Sequence, residues 1–374
     1  MASERELAAI EAEPDAHRRA LKMADLAGNV AAGAIDRALV PRLAAFLERD
    51  RDPFVRALVC RALARIGGGA ARDAIVVALA DSDAHVREAA WKALDPADDE
   101  LAIPLLTQIV ESSRGPDPRA MALHALRAIA ARAGGPVALP ASAIAFASKD
   151  PDRYVRAAAA RAAAFLPDRS RARELVIPAL DDDEGWVRES AAHGAAEGFA
   201  PIDRPALPQL CDALAFARED ATRLHLLRAL ASICARPAAE DRSLVGIARG
   251  MLSASDAGVR AAALLLVGTI APEGDSALCD DLAIRLSDER PEIRGASARL
   301  LADLAPQGRT QLIAKLEAAV AQGDPPMRRS IARALRRIGG RATEPLLRQL
   351  SQDPEIAVAR AAAEALSELF SGSA

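Results

Sequence analysis

Asp52-Pro53-Phe54-Val55-Arg56-Ala57-Leu58-Val59-Cys60-Arg61-Ala62-Leu63-Ala64-Arg65-Ile66-Gly67 reads as one short helix with both of its end signals. The Asp52 carboxylate suits the N-cap, where it accepts from the free amides of the first turn. Pro53 suits the first helical position, where a missing N–H is no loss. Val55, Leu58, Val59, Ala62, Leu63 and Ile66 recur at spacings of three and four, which puts them on one face. Gly67 to Gly69 end the segment, because glycine enters the left-handed region without a side-chain clash.

The stretch recurs along the chain. Asp83-Ala84-His85-Val86-Arg87 opens a second copy, Asp152-Arg153-Tyr154-Val155-Arg156 another, and Glu184-Gly185-Trp186-Val187-Arg188 another. Asp256-Ala257-Gly258-Val259-Arg260, Glu292-Ile293-Arg294 and Asp324-Pro325-Pro326-Met327-Arg328 continue the series. Weaker copies run from Pro118-Arg119 to Ala125-Leu126 and from Thr222-Arg223 to Ala229-Leu230. The repeated arginines are therefore Arg56, Arg87, Arg119, Arg156, Arg188, Arg223, Arg260, Arg294 and Arg328, spaced 31 to 37 residues apart. A tenth copy ends in Ala365-Leu366, with Ala359 in the arginine position. A period of this size predicts a solenoid, in which each unit buries its apolar face only against its neighbours.

Each unit from Asp50 onward reads as two helices. The arginine-bearing helix comes second, after an amphipathic segment such as Ala74–Leu79, Leu105–Val110, Leu175–Leu180, Leu244–Ala248 or Leu346–Leu350. Pro96, Gly134-Gly135-Pro136, Pro167, Pro237, Pro272, Pro306 and Gly339-Gly340 separate the units. The expected architecture is all-α, a right-handed α-solenoid of about ten helical hairpins. Residues 1–49 form an N-terminal helical cap with helices starting near Pro14-Asp15 and Pro41-Arg42, residues 50–370 a single continuous repeat domain, and 371–374 a tail.

Composition fits this reading. Hydrophobic residues make up 51% of the 374, but aromatic residues only 3%, so the core is expected to consist of small side chains in closely packed layers. A net charge of −4 does not by itself call for nucleic acid or a membrane surface. No apolar run reaches spanning length. Cys60, Cys211, Cys234 and Cys279 are isolated in helical patterns, which reads as buried reduced thiols in a cytoplasmic protein. The charged N-terminus reads as having no signal peptide.

The recurrence of Asp-Pro-x-Val-Arg followed by Ala-Leu across roughly residues 50–370 resembles the HEAT-like repeat family, and more narrowly its bacterial form first described in phycobilin lyases. The resemblance implies that the second helices line a concave face and that the motif arginine pairs with an acid at the junction between repeats. Asp52, Asp83, Asp152, Asp256 and Asp324, four residues before their arginines, are the candidate partners. Gly115 and Glu219 stand at that position in the third and sixth units, so looser junctions are expected there. A family of scaffolds, adaptors, inhibitors and a few enzymes fixes no single function.

The nine motif arginines read as a structural ladder, since stacking needs one at every junction. Five residues beyond each lie Arg61, Lys92, His124, Arg161, His193, Arg228, Leu265, Arg299 and Arg333, with Glu364 closing the series. Five residues turn the helix by about 140°, so this column points away from the ladder. Arg329, Arg336 and Arg337 make the C-terminal end of the second-helix face the most positive. Two readings stand side by side: a solvated column that keeps alanine-rich helices soluble, and a groove for an anionic partner. For the second, an acidic protein segment fits better than nucleic acid, because neither stacking aromatics nor a basic domain is present.

Catalytic signals are weak. The five histidines fall in different units, none is followed by glutamate, and no Cys-x-x-Cys or nucleophile elbow occurs. Asp181-Asp182-Asp183-Glu184 lacks calcium-loop spacing and reads as a capped helix start. Trp91, Trp186 and Tyr154 read as core or turn-plugging rings. The expected function is a non-catalytic protein-interaction scaffold without cofactor or metal. The alternatives are a nucleic-acid-binding protein and, more remotely, a HEAT-like lyase or glycosylase.

Overall fold

A computed structural model describes residues 2–29, 37–94, 99–113, 115–133, 137–234 and 242–371. The breakers at Pro96, Gly134-Gly135-Pro136 and Pro237 and the tail residues 372–374 lie outside them. The described residues are helical and contain no strand. The chain divides into two compact units, Met1–Gly198 and Phe199–Ala374.

The N-terminal unit contains α1 (Ala2–Glu11), α2 (Ala16–Asn29), α3 (Val40–Arg49), α4 (Pro53–Ile66), α5 (Gly69–Ala78), α6 (Ala84–Ala93), α7 (Asp99–Ser112), α8 (Pro116–Ala133), α9 (Ala141–Ala147), α10 (Arg153–Ala163), α11 (Arg169–Ala179) and α12 (Gly185–Gly198). They pair in order as hairpins. The second helices pack side by side, α2 on α4, α4 on α6, α8 on α10 and α10 on α12, while α3, α5, α7 and α9 form the other layer. The C-terminal unit repeats the scheme with α13 (Leu207–Phe216), α14 (Asp220–Ile233), α15 (Arg242–Met251), α16 (Ala257–Ile270), α17 (Ser276–Arg285), α18 (Pro291–Leu304), α19 (Ile313–Val320), α20 (Pro325–Ile338), α21 (Glu344–Leu350) and α22 (Ile356–Ser371). Here α14, α16, α18, α20 and α22 are the second helices, each against the next.

Local chemistry sets the ends of α4 as the sequence predicts. Asp52 accepts from the Phe54 amide at 2.8 Å, Pro53 opens the helix, and Gly67 closes it at φ 67°. Val55, Val59, Ala62 and Leu63 are buried, and each larger side chain contributes about 1.5–3 kcal/mol by leaving water. Leu58 and Ile66, expected on the same face, are only half-buried, because they sit at its margins. Small residues permit close layering. In α10, Ala157 to Ala160, Ala162 and Ala163 are all buried. On α12, a Cβ at Gly194 would lie 2.9 Å from the Arg161 Cα, and one at Gly198 only 2.5 Å from the Ala164 carbonyl oxygen.

The expectation that Trp186 and Tyr154 plug turns or core is corrected. Trp186 is 56% and Tyr154 49% exposed, edge to face with ring centroids 6.5 Å apart. They stand in the first turns of α12 and α10, where no neighbouring layer covers them. Trp91 is half-buried, with the Arg132 guanidinium 4.0 Å above its ring, which links α6 to α8.

Candidate functional site

The motif arginines and the column beyond them occupy different chemical settings. Arg56 donates to both carboxylate oxygens of Asp81, at 2.8 and 2.9 Å. Arg119 grips Asp150 in the same two-pronged way, Arg156 grips Asp182, Arg260 grips Asp288 and Arg328 grips Asp353. Planar guanidinium against carboxylate makes these the strong, geometrically fixed kind of ion pair. In each case the acid belongs to the following hairpin.

This corrects the expected partners. Asp52, Asp83, Asp152, Asp256 and Asp324 instead cap their own helices, accepting from amides of the first turn. A carboxylate four residues before the arginine is already committed to those amides. The junction acid lies two residues earlier still, six before the next arginine position, and its backbone serves the seam as well. The Asp50 carbonyl accepts from Arg56, that of Asp81 from Arg87, that of Asp150 from Arg156, that of Asp182 from Arg188 and that of Asp288 from Arg294. Each such aspartate thus takes one arginine on its carboxylate and the next on its carbonyl. The looser third junction expected from Gly115 is also corrected, since Asp150 completes it and the Gly115 carbonyl accepts from Arg119.

Sequence reading missed the first rung. Arg19 of α2 binds Asp50 at 2.9 Å, and Asp15 accepts from the Arg18 amide, so residues 2–29 already have hairpin chemistry. The recurrence of aspartate at 50, 81, 150, 182, 288 and 353 was the available signal. Ser113, Ala217, Ala254 and Gln322 hold the equivalent place in the other units, so the pattern is discontinuous. Accordingly Arg87 and Arg294 donate to carbonyls, and Arg223 to the Ala217 carbonyl and to Asp220 in its own helix.

The second column is mixed. Arg61, Arg228, Arg299 and Arg329 are exposed and make no side-chain ion pair among the described residues. Lys92 is exposed and holds Glu88 of its own helix at 2.6 Å. In the middle of the N-terminal unit the column turns inward. Glu197 receives Arg161 at 2.9 Å and Arg127 at 3.3 Å, with His193 3.3 Å from both Glu197 and Arg161. Burial pushes the adjacent His124 down to about 4, helped by Arg161, Arg127 and Arg87. His124 therefore stays neutral in the fold while the unfolded chain takes up a proton below 6.5. Stability of the N-terminal unit is expected to be full above pH 6.5 and to decline as pH falls toward 4. Both tryptophans lie in this unit, so urea midpoints read by their fluorescence from pH 7.5 to 5 check it. His124→Gln should flatten the slope, and an unchanged slope would contradict the assignment.

At the C-terminal end, the positive charge expected from Arg333, Arg336 and Arg337 is offset. They face Asp303 at 3.7 Å, Glu368 at 2.9 Å and Glu273, respectively, around a groove of about 920 Å³. Among the described residues no group of three or more His, Cys, Asp or Glu is placed to hold a metal ion, and no helix is long and apolar enough to cross a membrane. Cys60, Cys234 and Cys279 are buried and Cys211 is half-buried.

Stacked hairpins seamed by arginine define an all-α helical-repeat protein. The family model for HEAT repeats matches residues 40–127 and 312–373. No curated protein matches the sequence. Among solved structures, YibA of Escherichia coli aligns with a TM-score of 0.52 and 14% identity, over 74% of this chain and 95% of that one. A structure in which Kap95p binding shifts the switch loops of RanGDP to the GTP-bound conformation aligns with a TM-score of 0.52 and 13% identity, over all of this chain and 56% of that one. At these identities the likeness is one of fold.

Proposed function

We propose that the chain is a non-catalytic scaffold whose second helices receive an acidic segment of a partner protein, in the bacterial cytoplasm. The observation that carries this reading is the division between two sets of arginines. Those at the seams are engaged by carboxylates or carbonyls, whereas Arg61, Arg228, Arg299 and Arg329 stand exposed without an ion pair among the described residues. An exposed guanidinium attracts a carboxylate at long range and binds it in two-pronged geometry at contact. The buried thiols agree with a reducing compartment: burial pushes Cys60 up to about 12 and Cys279 up to about 11, so neither supplies a thiolate.

Cross-linking in the native cells, read by mass spectrometry, tests the proposal. Partner peptides rich in Asp and Glu are expected to map to the second helices. Changing Arg61, Arg228, Arg299 and Arg329 together to glutamate should remove those cross-links and leave the helical circular dichroism intact. Cross-links confined to the first helices would overturn the reading. So would a nucleic-acid partner with steep salt dependence.

A further inference from the structure

The grooves flanking α4 combine exposed apolar side chains with an exposed arginine. On α4, Phe54, Ala57, Leu58 and Arg61 form one stripe at helical spacing. Across from it, His17, Ala20, Leu21 and Ala24 form the matching stripe of α2, and the two enclose a groove of about 620 Å³. On the other flank, Phe54, Arg61 and Arg65 face His85, Glu88 and Lys92 of α6 around a second groove of about 360 Å³. Phe54 and Arg61 therefore border both. Phe54 is 63% exposed and Leu21 55%, although both are large apolar side chains on ordered helices. Phe54 is held in place by stacking on His85, with ring centroids 5.9 Å apart.

Charge and apolar surface are sorted along this face. Phe54 and Leu58 lie toward the start of α4, whereas Arg61 and Arg65 lie toward its end, with Lys92 toward the end of α6. The local acids are committed: Asp52 accepts from the Phe54 amide and Glu88 from Lys92. Arg65 donates to the Ala27 carbonyl, which leaves Arg61 as the cation with no partner among the described residues. The C-terminal groove, by contrast, is lined by three arginines and three carboxylates that already face one another.

We infer that the α2–α4–α6 face is the docking site for an amphipathic, acidic helix of a partner protein. Its apolar side chains cover Leu21, Phe54 and Leu58, and a carboxylate at one end meets Arg61. Apolar surface supplies the area, and the arginine fixes direction along the groove. A basic helix would bring like charge against Arg61, and a wholly apolar one would leave it buried without a partner. This inference rests on the reading of the second-helix face as the receiving surface and locates its anchor.

The test is selection from a displayed library of random peptides, long enough for about four helical turns, against the full chain. Enriched peptides are expected to combine Leu, Ile or Phe at helical spacing with Asp or Glu toward one end. Their affinity, read by fluorescence polarisation, should fall about tenfold or more with Phe54→Ser and with Arg61→Glu, and should hold with Lys315→Glu on the exposed side of the first helix α19. Both altered residues are exposed, and circular dichroism checks that the fold persists. Acidic peptides that depend on Arg228 but not on Phe54 or Arg61 would overturn this site and leave the broader reading standing. Failure to enrich any peptide, or enrichment of basic ones, would overturn both. Self-association of the chain that Phe54→Ser abolishes would identify a second copy as the occupant and overturn the proposal.

Discussion

Asp288→Ala is expected to cost the C-terminal unit about 3–5 kcal/mol, the range for removing one partner of a buried ion pair. Arg260 and Asp288 are 7% and 3% exposed, the most deeply buried of the seam pairs. The aspartate also faces Arg285 at 3.7 Å and accepts from the Arg290 amide at 3.1 Å. Burial is the largest single influence and lifts its carboxyl, but the Arg260 hydrogen bonds, the Arg290 amide and the charges of Arg260 and Arg285 together outweigh it and hold the group below the usual carboxylate value. Without Asp288, Arg260 keeps the carbonyls of Ala254 and Ser255 and the exposed Glu289, none of which replaces a buried counter-charge. Asp256→Ala, which removes only the cap on α16, should cost about 1 kcal/mol. Hydrogen exchange on α16 and α18 measures both. Equal losses would show that the seam does not depend on the acid of the following hairpin.

Gly198→Ala should destabilise the N-terminal unit by about 1–3 kcal/mol. The added Cβ would meet the backbone oxygen and carbon of Ala164 at 2.5 and 2.8 Å, and neither can swing aside as a side-chain tip would. The clash must be relieved by separating the ends of α10 and α12. That shift also strains the Arg169 hydrogen bond to the Gly198 carbonyl, 3.0 Å long in the native fold. Gly194→Ala acts on the same contact through the Arg161 Cα and should add to the loss. By comparison, Gly295→Ala on α18 meets nothing within 4 Å and should be neutral or mildly stabilising. Trp186 lies in α12, so urea unfolding followed by tryptophan emission reports the change directly.

These two cases show where the sequence was legible. Helix ends were, because their signals are local: Asp52, Pro53 and Gly67 act within one turn of themselves. The period was legible too, because every hairpin must solve the same burial problem. The seam was only half legible. Arginine marks it in nearly every unit, but two acids flank each start, and short-range rules do not say which one faces across a junction. Asp81 and Asp83 are two residues apart and do different work, one on Arg56 and one on the amides of its own helix. The close approach at Gly198 was illegible, since a glycine near a helix end reads first as a terminator. The docking face was partly legible: Arg61 was in the basic column, but Phe54 reads from sequence as a first-turn residue, and only the positions of α2 and α6 expose it on a groove. The C-terminal arginines read as a positive cluster because Glu273, Asp303 and Glu368 reach them from three other helical segments or turns.

The claim on which both the fold and the free face depend is that the motif arginines are spent within the seams, five of them on an aspartate of the next hairpin. A double-mutant cycle tests it most directly, with Arg260→Met paired in turn with Asp288→Ala and Asp256→Ala. A coupling on the order of 2 kcal/mol or more is expected with Asp288, and one near zero with Asp256. Strong coupling to Asp256, or none to Asp288, would contradict the account.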